Sequence, residues 1–113
     1  MRRGEIWGAN LNPNRGHEIG KIRPVLVMQH DDLTALDTGM VLVLPLTTQG
    51  RPHLQRFRPL VTARDRLQQD SYVVVEQPRT LDRAAIGEGP LTVLTAEEMA
   101  TVERGLSTAL GMV

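Results

Sequence analysis

The sequence contains no cysteine and no long apolar run. The absence of cysteine excludes a disulfide framework and thiolate metal ligands. The longest mostly apolar stretch, residues 40–46, is far shorter than the roughly 20 residues that a membrane-spanning helix needs. The N-terminus begins with basic residues but has no continuous apolar segment of the kind found in secretory signals. We therefore expect a cytoplasmic protein with no membrane partner.

The formal net charge is zero, although the charged residues are unevenly distributed along the chain. Residues 48–74 carry five arginines against Asp65 and Asp70, a balance of +3, whereas residues 75–113 carry three arginines against six acids, a balance of −3. The basic middle third suits contact with a polyanion, and the zero total argues against indiscriminate nucleic-acid binding. Lys21 is the one lysine among thirteen basic residues. Arginine favours bidentate phosphate contacts, but biased genomic composition explains the same count equally well.

Motifs for metal-dependent or nucleophilic catalysis are missing as well. Asp31 and Asp32 are adjacent and would point in opposite directions on an extended chain. No histidine has a second histidine four residues away, as a helical metal motif requires. No Gly-rich phosphate loop and no nucleophile elbow is present. We therefore expect neither a metal nor another cofactor.

What the chain does contain is a series of short strand patterns. The length of 113 residues suits one domain spanning residues 1–113. Alternating Trp7, Ala9 and Leu11 predict a first strand at residues 3–11. Further strands are predicted at residues 23–29, 40–46, 57–61 and 72–77, with a helical turn near 33–36 and a turn-rich segment at 78–89. The second strand is apolar throughout, which predicts burial on both faces, and Pro45 is expected to confine the end of the third strand to an edge or bulge.

The C-terminal segment predicts a capped amphipathic helix. Thr95 is expected to be the N-cap and Glu98 its capping-box partner, with Leu94 and Met99 forming a hydrophobic staple. An apolar face follows at helical spacing and should pack on the sheet: Met99, Val102, Leu106, Ala109 and Leu110. Short strands followed by one helix indicate an α+β, mainly β fold, a small and strongly curved antiparallel barrel with a C-terminal amphipathic helix.

Residues 16–29 join a polar loop to the second strand and carry the first candidate functional groups. Arg23 directly precedes Pro24, which favours extended geometry for the arginine and places it at a strand entrance. His17, Glu18 and Lys21 lie in the loop. Such a group can meet a phosphate, and a solvated surface loop is the alternative.

Metal-free cleavage of RNA is one reaction that these residue types support. RNA carries its own nucleophile, the 2′-hydroxyl, so a protein needs only proton transfer and stabilisation of the phosphorane. General acid–base catalysis contributes about 10²–10⁴-fold, and a fixed cation at the developing charge contributes on the order of 10²–10³-fold. Arg23 and Thr47 suit the electrostatic part, and His17 and Glu76 suit proton transfer. Spacing alone does not bring these four side chains together.

Four blocks occur in a fixed order along the chain: RGEIWGANLNP at 3–13, GHEIGKIRPVLVMQ at 16–29, LPLTTQ at 44–49 and VEQPRTLD at 75–82. Together with the C-terminal helix, these blocks resemble the MazF/PemK/Kid family of type II toxin–antitoxin endoribonuclease toxins. The resemblance covers nearly the whole chain. Any one block alone is a weak signal, whereas the combination is highly specific.

The resemblance implies a fold, a reaction and partners. It implies an SH3-like (PemK-like) barrel, a homodimer, and metal-independent cleavage of single-stranded RNA at short sequences. Cleavage would leave a 2′,3′-cyclic phosphate and a 5′-hydroxyl and would inhibit translation and growth. A cognate antitoxin would neutralise the toxin by laying an acidic C-terminal tail in the RNA groove. Contact with operator DNA would be indirect, through the antitoxin.

The resemblance also implies roles for four residues. Arg23 matches the arginine of the RP motif, which stabilises the transition-state phosphate and acts as acid or base. Thr47 matches the first threonine of the TTQ motif and would donate a hydrogen bond to the scissile phosphate. His17 matches the histidine of the GHE motif, and Glu76 matches the acidic residue before QPRT, a general base. Kid-like members have an arginine proposed as general acid where this chain has Val74, which leaves Arg23 or His17 as proton donor.

The matching blocks and the Arg-rich loop at residues 49–58 also contain the predicted RNA contacts: Glu18, Lys21, Thr48, Gln49, Arg51, His53, Arg56, Gln77 and Arg79. Arg58 belongs to the same loop, which would guide phosphates or simply form an exposed basic flap. Each role has a plainer alternative. Thr47 would close a turn, His17 would be solvated, and Glu76 would point outward from the fifth strand or pair with Arg79.

Two other functions remain open at this point. The related gyrase-poisoning toxins share the barrel and act by binding without nuclease chemistry. A relative without activity would serve only as a transcriptional co-regulator together with its antitoxin.

Overall fold

A computed structural model describes residues 1–12 and 21–112. The strands in these ranges are β1 (Glu5–Asn10), β2 (Ile22–Val27), β3 (Met40–Thr47), β4 (Leu60–Val61), β5 (Ser71–Val73), β6 (Arg79–Asp82) and β7 (Thr92–Val93). The α-helices are α1 (Asp31–Ala35) and α2 (Ala96–Ala109), and two 3₁₀ segments span Pro52–Phe57 and Arg83–Ala85. The described part is thus mainly β, with its longest helix at the C-terminal end.

The strands form one antiparallel sheet in the order β4-β5-β3-β2-β1-β7. β3 is the central strand: β2 lies along one side, and β6 and β5 follow each other along the other side. The sheet curls into a half-barrel, and α2 packs on it through Val102, Met99 and Leu106. This is the predicted curved antiparallel sheet with a C-terminal helix.

Strand β2 is buried on both faces, as its continuous apolar sequence predicts. Val25 and Val27 belong to one core cluster and Leu26 to the other, and all three side chains are fully buried. Burying one such side chain contributes roughly 1.5–3 kcal/mol. The two cores hold the middle of β2 rigidly, and this fixes the position of Arg23 at its start.

The start of α2 has the predicted capping box. The Glu98 backbone N–H donates to the Thr95 hydroxyl at 3.1 Å, and the Thr95 N–H donates to the Glu98 carboxylate at 2.9 Å. The predicted apolar face is shorter than expected, because Ala109 and Leu110 are exposed. Neither residue belongs to a core cluster, so sheet packing ends with the turn that contains Leu106.

Pro45 does not lie at a sheet edge, which was one of the two placements predicted for it, a bulge being the other. It pairs with Val25 of β2, and its carbonyl accepts a hydrogen bond from the Val74 N–H at 2.9 Å. In an antiparallel strand the N–H and C=O of one residue point to the same side. The N–H that proline lacks would therefore face Val74, just after the end of β5, where the missing donor is tolerated because the Val74 carbonyl accepts from the Gln77 N–H instead.

The later strands also differ from the prediction. The predicted fourth and fifth strands shorten to β4 and β5, and β6 and β7 lie in segments predicted as turns or left unassigned. β6 escaped detection because only Leu81 of its four residues is buried. Residues 74–77 form a turn, since the Gln77 N–H donates to the Val74 carbonyl at 3.2 Å. Glu76 therefore lies in the turn between β5 and β6 and not within a strand.

Candidate active site

Arg23, Thr47 and Tyr72 lie in one row across three strands. The β2–β3 register pairs Val25 with Pro45, and continuing it by two residues sets Arg23 opposite Thr47. Thr47 in turn pairs with Tyr72 of β5. Residues two apart on a strand point to the same face, and neighbouring strands are about 4.8 Å apart. The guanidinium of Arg23 and the hydroxyl of Thr47 therefore belong to the same side of the sheet.

Arg58 lies beside this row. Leu60 pairs with Tyr72, and the Val73 N–H donates to the Pro59 carbonyl at 2.9 Å. The register thus brings Arg58 opposite Val74, next to the row and on the same face. Arg58 and Tyr72 also line one cavity of about 170 Å³ beside the turn that follows Thr47.

Glu76 is tied to this face by Arg58. The Arg58 Nε donates to both carboxylate oxygens of Glu76, at 3.2 and 3.1 Å, and Nη2 donates to Oε2 at 2.5 Å. The Arg58 side chain is 9% exposed and that of Glu76 is 30% exposed. The ion pair of Glu76 is therefore with Arg58, a partner that the sequence did not indicate.

The electrostatic setting of Glu76 combines two opposing effects. Burial alone raises the pKa of Glu76, whereas the hydrogen bonds and positive charge of Arg58 and a backbone hydrogen bond lower it. The lowering effects are together larger, so the pKa lies below the ordinary value for glutamate. Glu76 is thus a carboxylate at neutral pH and can accept a proton.

Arg23 is half-buried at the mouth of a cleft of about 480 Å³. The cleft is lined by the end of β1, the start of β2 and a later segment: Gly8, Ala9, Asn10, Ile22, Arg23, Pro24, Ala85, Gly87, Glu88 and Leu91. Gly8 and Gly87 are joined by a backbone hydrogen bond of 2.8 Å. A cleft of this volume is large enough to admit part of a nucleotide beside the guanidinium.

Thr47 is buried at the end of β3, and its hydroxyl accepts a hydrogen bond from the Gln49 N–H at 3.2 Å. The turn-closing alternative for Thr47 is therefore realised, and the hydroxyl still has its own hydrogen to donate. Thr48, Gln49 and Arg51 follow and are exposed. Arg51 donates to the Gln49 side chain at 3.4 Å.

The Arg-rich loop divides into an exposed and a buried part. His53 and Arg56 lie on the 3₁₀ segment and are exposed, and the Arg56 guanidinium lies 4.7 Å from the centre of the Phe57 ring. Arg58 is buried, so the expectation that it belongs to an exposed basic flap is wrong. Its burial follows from the pairing of β4 with β5, which turns Arg58 toward Glu76.

The remaining predicted RNA contacts are spread around the site. Arg79 is the first residue of β6, and its guanidinium donates to the Leu11 carbonyl at 3.2 Å, a contact that would brace this part of the structure. Gln77 is half-buried and Lys21 is exposed. Lys21 has φ of 68° and donates its backbone N–H to Asn12 at 2.8 Å. His17 and Glu18 lie outside the described residues.

The sequence missed Arg58 as the partner of Glu76. The two residues are 18 positions apart, and a pairing at this separation has no signal in local spacing. Among the described residues, no group of three or more histidine, cysteine or acidic side chains is arranged to hold a metal ion. In the same part of the chain, none of the helices has the length and apolar character needed to cross a membrane.

Comparison with known proteins gives consistent matches. Residues 2–110 match the family model described as PemK-like, MazF-like toxin of type II toxin–antitoxin system. The chain is 30% identical over 112 residues to the endoribonuclease MazF of Staphylococcus saprophyticus, covering 99% of this chain and 92% of that protein.

Solved structures agree with this match. The crystal structure of MazF from Deinococcus radiodurans superposes with a TM-score of 0.84 at 26% identity, covering 99% of this chain and 97% of that one. A crystal structure of the MazE–MazF complex from the same organism gives a TM-score of 0.77 at 26% identity and covers 100% and 97% of the two chains. Both likenesses cover nearly the whole chain.

Proposed function

Because this chain belongs to the family of PemK-like, MazF-like toxins of type II toxin–antitoxin systems, we propose that it is an endoribonuclease that cleaves single-stranded RNA at specific sequences. Cleavage would be metal-independent, would use the 2′-hydroxyl of the substrate, and would stop translation and growth. The curated relative, an endoribonuclease by name, supports the reaction class. The observation that carries the proposal is the register of β2 on β3, which on continuation sets Arg23 opposite Thr47, together with the ion pair between Arg58 and Glu76.

The proposed reaction is an in-line transesterification. Glu76 takes the proton of the ribose 2′-hydroxyl, the 2′-oxygen forms a bond to phosphorus, and the bond from phosphorus to the 5′-oxygen breaks. The products are a 2′,3′-cyclic phosphate and a 5′-oxygen that must gain a proton. His17 or Arg23 would supply that proton.

Arg23 and Thr47 would stabilise the transition state between these proton transfers. The phosphorane carries more negative charge on its non-bridging oxygens than the ground-state phosphodiester does. A guanidinium and a hydroxyl fixed by two buried strands can meet that charge without reorganising, which is the main source of electrostatic catalysis. The contribution depends on the two groups sharing one face, which the β2–β3 register supports.

RNA binding outside the reacting centre would use exposed polar and cationic side chains. Arg51, His53 and Arg56 are exposed beside the Thr47 turn, and their charges suit phosphate guidance along a single strand. Lys21, Gln77 and Glu18 are proposed as further RNA contacts because they lie within the matching sequence blocks. The exposed residues Thr48 and Gln49 would read bases or sugars next to the scissile phosphate, and Arg79 would contact RNA or brace the site.

The partners would be an antitoxin and a second copy of this chain. The Deinococcus radiodurans structure named as a MazE–MazF complex supports an antitoxin partner. An acidic antitoxin tail would compete with RNA for the same cations, because both are polyanions. A homodimer would place two such faces around one groove, and contact with operator DNA would come only through the antitoxin.

The direct test is cleavage of a single-stranded transcript in excess EDTA, followed by mapping of both new ends. We expect cleavage to persist, with a cyclic phosphate on one fragment and a 5′-hydroxyl on the other. Loss of all activity on chelation, with recovery on adding a divalent cation, would contradict the mechanism. An Arg23→Ala variant that still arrests growth while RNA stays intact would instead identify a binding toxin of the gyrase-poisoning type.

A further inference from the structure

Arg58 is the one charged residue among the buried residues of ranges 1–12 and 21–112. Burying a guanidinium is unfavourable unless it is paired and hydrogen-bonded. The pairing is complete on one side: Nε and Nη2 together make three hydrogen bonds to the two oxygens of Glu76. A two-pronged contact of this kind fixes the plane of the carboxylate as well as its charge.

We propose that Arg58 is a positioning residue that holds the Glu76 carboxylate in the orientation in which it takes the proton of the 2′-hydroxyl. This inference rests on the proposed function, in which Glu76 is the general base. Glu76 lies in a turn, where a glutamate side chain otherwise has several free rotamers. The guanidinium removes that freedom and ties the carboxylate to the face of Thr47.

The ion pair of Arg58 and Glu76 remains partly accessible to a substrate. The Glu76 side chain is 30% exposed, and Arg58 lines the cavity that also includes Gly50 and Tyr72. The carboxylate of Glu76 is therefore partly accessible from outside the protein while Arg58 holds it.

Within the described part of the chain, the charged and titratable groups on the elements around Glu76 are few. Arg58 is in direct contact, Arg23 lies on β2, Tyr72 on β5 and Arg79 on β6. The pKa of Glu76 falls below its ordinary value although burial raises it, and Arg58 is the side chain responsible for the lowering. Replacing Arg58 with a neutral residue leaves the effect of burial in place, so the pKa of Glu76 should rise.

The chain offers a matched control in a second two-pronged pair. Arg64 donates to the two oxygens of Glu98 at 2.9 and 2.6 Å, with both side chains about as exposed as Glu76. This pair anchors the start of α2 and lies outside the candidate site. Arg64→Met therefore removes an equivalent ion pair without touching the proposed chemistry.

The experiment measures kcat and kcat/KM against pH for the wild type, Arg58→Met, Arg58→Lys and Arg64→Met on one mapped RNA oligonucleotide. We expect Arg58→Met to lower kcat by about 10²-fold, the scale of a misplaced catalytic group, with a much smaller change in KM. Its acidic limb should move to higher pH. Arg64→Met should keep the wild-type kcat and pH profile. Arg58→Lys keeps the charge but not the fork geometry and should fall between the two.

A double-variant cycle with Glu76→Gln separates positioning from direct phosphate contact. If Arg58 acts through Glu76, adding Arg58→Met to Glu76→Gln lowers kcat little further. If the two substitutions instead lower kcat by the product of their separate factors, the inference is overturned, and Arg58 acts directly on the phosphate. Thermal unfolding compares each variant with Arg64→Met, and Arg58→Lys decides the matter if Arg58→Met does not fold.

The outcomes distinguish the inference from the function on which it rests. Full activity and an unchanged pH profile in folded Arg58→Met or Arg58→Lys, with Glu76→Gln inactive, would overturn the positioning role alone. Full activity in Glu76→Gln would overturn both that role and the assignment of the general base, while cleavage itself would stand. Absence of RNA cleavage by the wild type would overturn the proposed function and the inference together.

Discussion

Replacing Arg23 with alanine removes one charge from the proposed transition-state site and leaves both hydrophobic cores intact. The backbone of Arg23 is held by the pairing of β2 with β1, in which Ala9 and Arg23 are partners. The side chain is half-buried beside a cleft and belongs to neither core cluster. We therefore expect a folded variant with a defect in chemistry.

The size of that defect follows from Coulomb's law. A guanidinium about 4 Å from a unit of developing charge contributes roughly 1 kcal/mol in water and about 4 kcal/mol at the effective dielectric constant of a partly buried site. The Arg23 cleft is partly buried, which favours the upper part of this range. Since about 1.4 kcal/mol corresponds to tenfold in rate, kcat should fall by about 10²–10³-fold.

Single-turnover cleavage of a mapped oligonucleotide with saturating Arg23→Ala measures this directly, with RNA affinity determined separately. Arg23→Lys serves as the comparison, because lysine keeps the charge but loses the bidentate geometry, and it should recover only part of the rate. A loss below tenfold in kcat for a folded Arg23→Ala would refute the electrostatic role of Arg23. So would a loss confined to RNA affinity.

Three further predictions concern binding and stability. Arg56→Ala should weaken RNA binding, reduce its salt dependence by about one phosphate contact and leave kcat nearly unchanged. Fluorescence titration at several salt concentrations measures the binding, and an unchanged dependence of affinity on salt would contradict this prediction. Thr95→Ala should lower the free energy of unfolding by about 1 kcal/mol through loss of the helix cap, as measured by urea denaturation. An unchanged free energy of unfolding would show that the cap does not stabilise the protein. Glu98→Gln should destabilise the protein by roughly 1–2 kcal/mol at pH 7. Burial raises the pKa of Glu98, but contacts with Arg64 and Thr95 lower it overall. The stabilisation is therefore present above the unfolded-state pKa and is lost as pH falls through the folded-state pKa. The difference in unfolding free energy between wild type and Glu98→Gln should vanish on acidification, and a constant difference would contradict the assignment.

The parts of the fold that the sequence predicts are those with a strong local signal. The capping box of Thr95 and Glu98 and the doubly buried β2 follow from residue type and spacing alone. β6 was missed because three of its four residues are polar or half-exposed, so no alternation marks it as a strand. β6 forms because it pairs with residues 40–43 of β3, and this pairing is a tertiary contact that local sequence does not reveal.

The candidate site divides in the same way. Motifs within one segment identified Arg23, Thr47 and Glu76, whereas the one ion-pair partner that they suggested for Glu76, as an alternative to a catalytic role, was the nearby Arg79. The structure pairs Glu76 with Arg58, which β4 and β5 bring close across 18 positions. The same pairing buries Arg58, although the loop around it predicts a uniformly exposed basic segment. Position in a sheet, and not the composition of the loop, decides which arginines face solvent.

The central claim is that the ribose 2′-hydroxyl of the substrate is the nucleophile at the row of Arg23 and Thr47. The most direct measurement compares two synthetic oligonucleotides in EDTA, one all-RNA and one with a single 2′-deoxy sugar on the 5′ side of the mapped cleavage position. We predict cleavage of the all-RNA strand to a 2′,3′-cyclic phosphate and no cleavage of the 2′-deoxy strand, with similar binding of both. Cleavage of the 2′-deoxy strand at the same position would contradict the account.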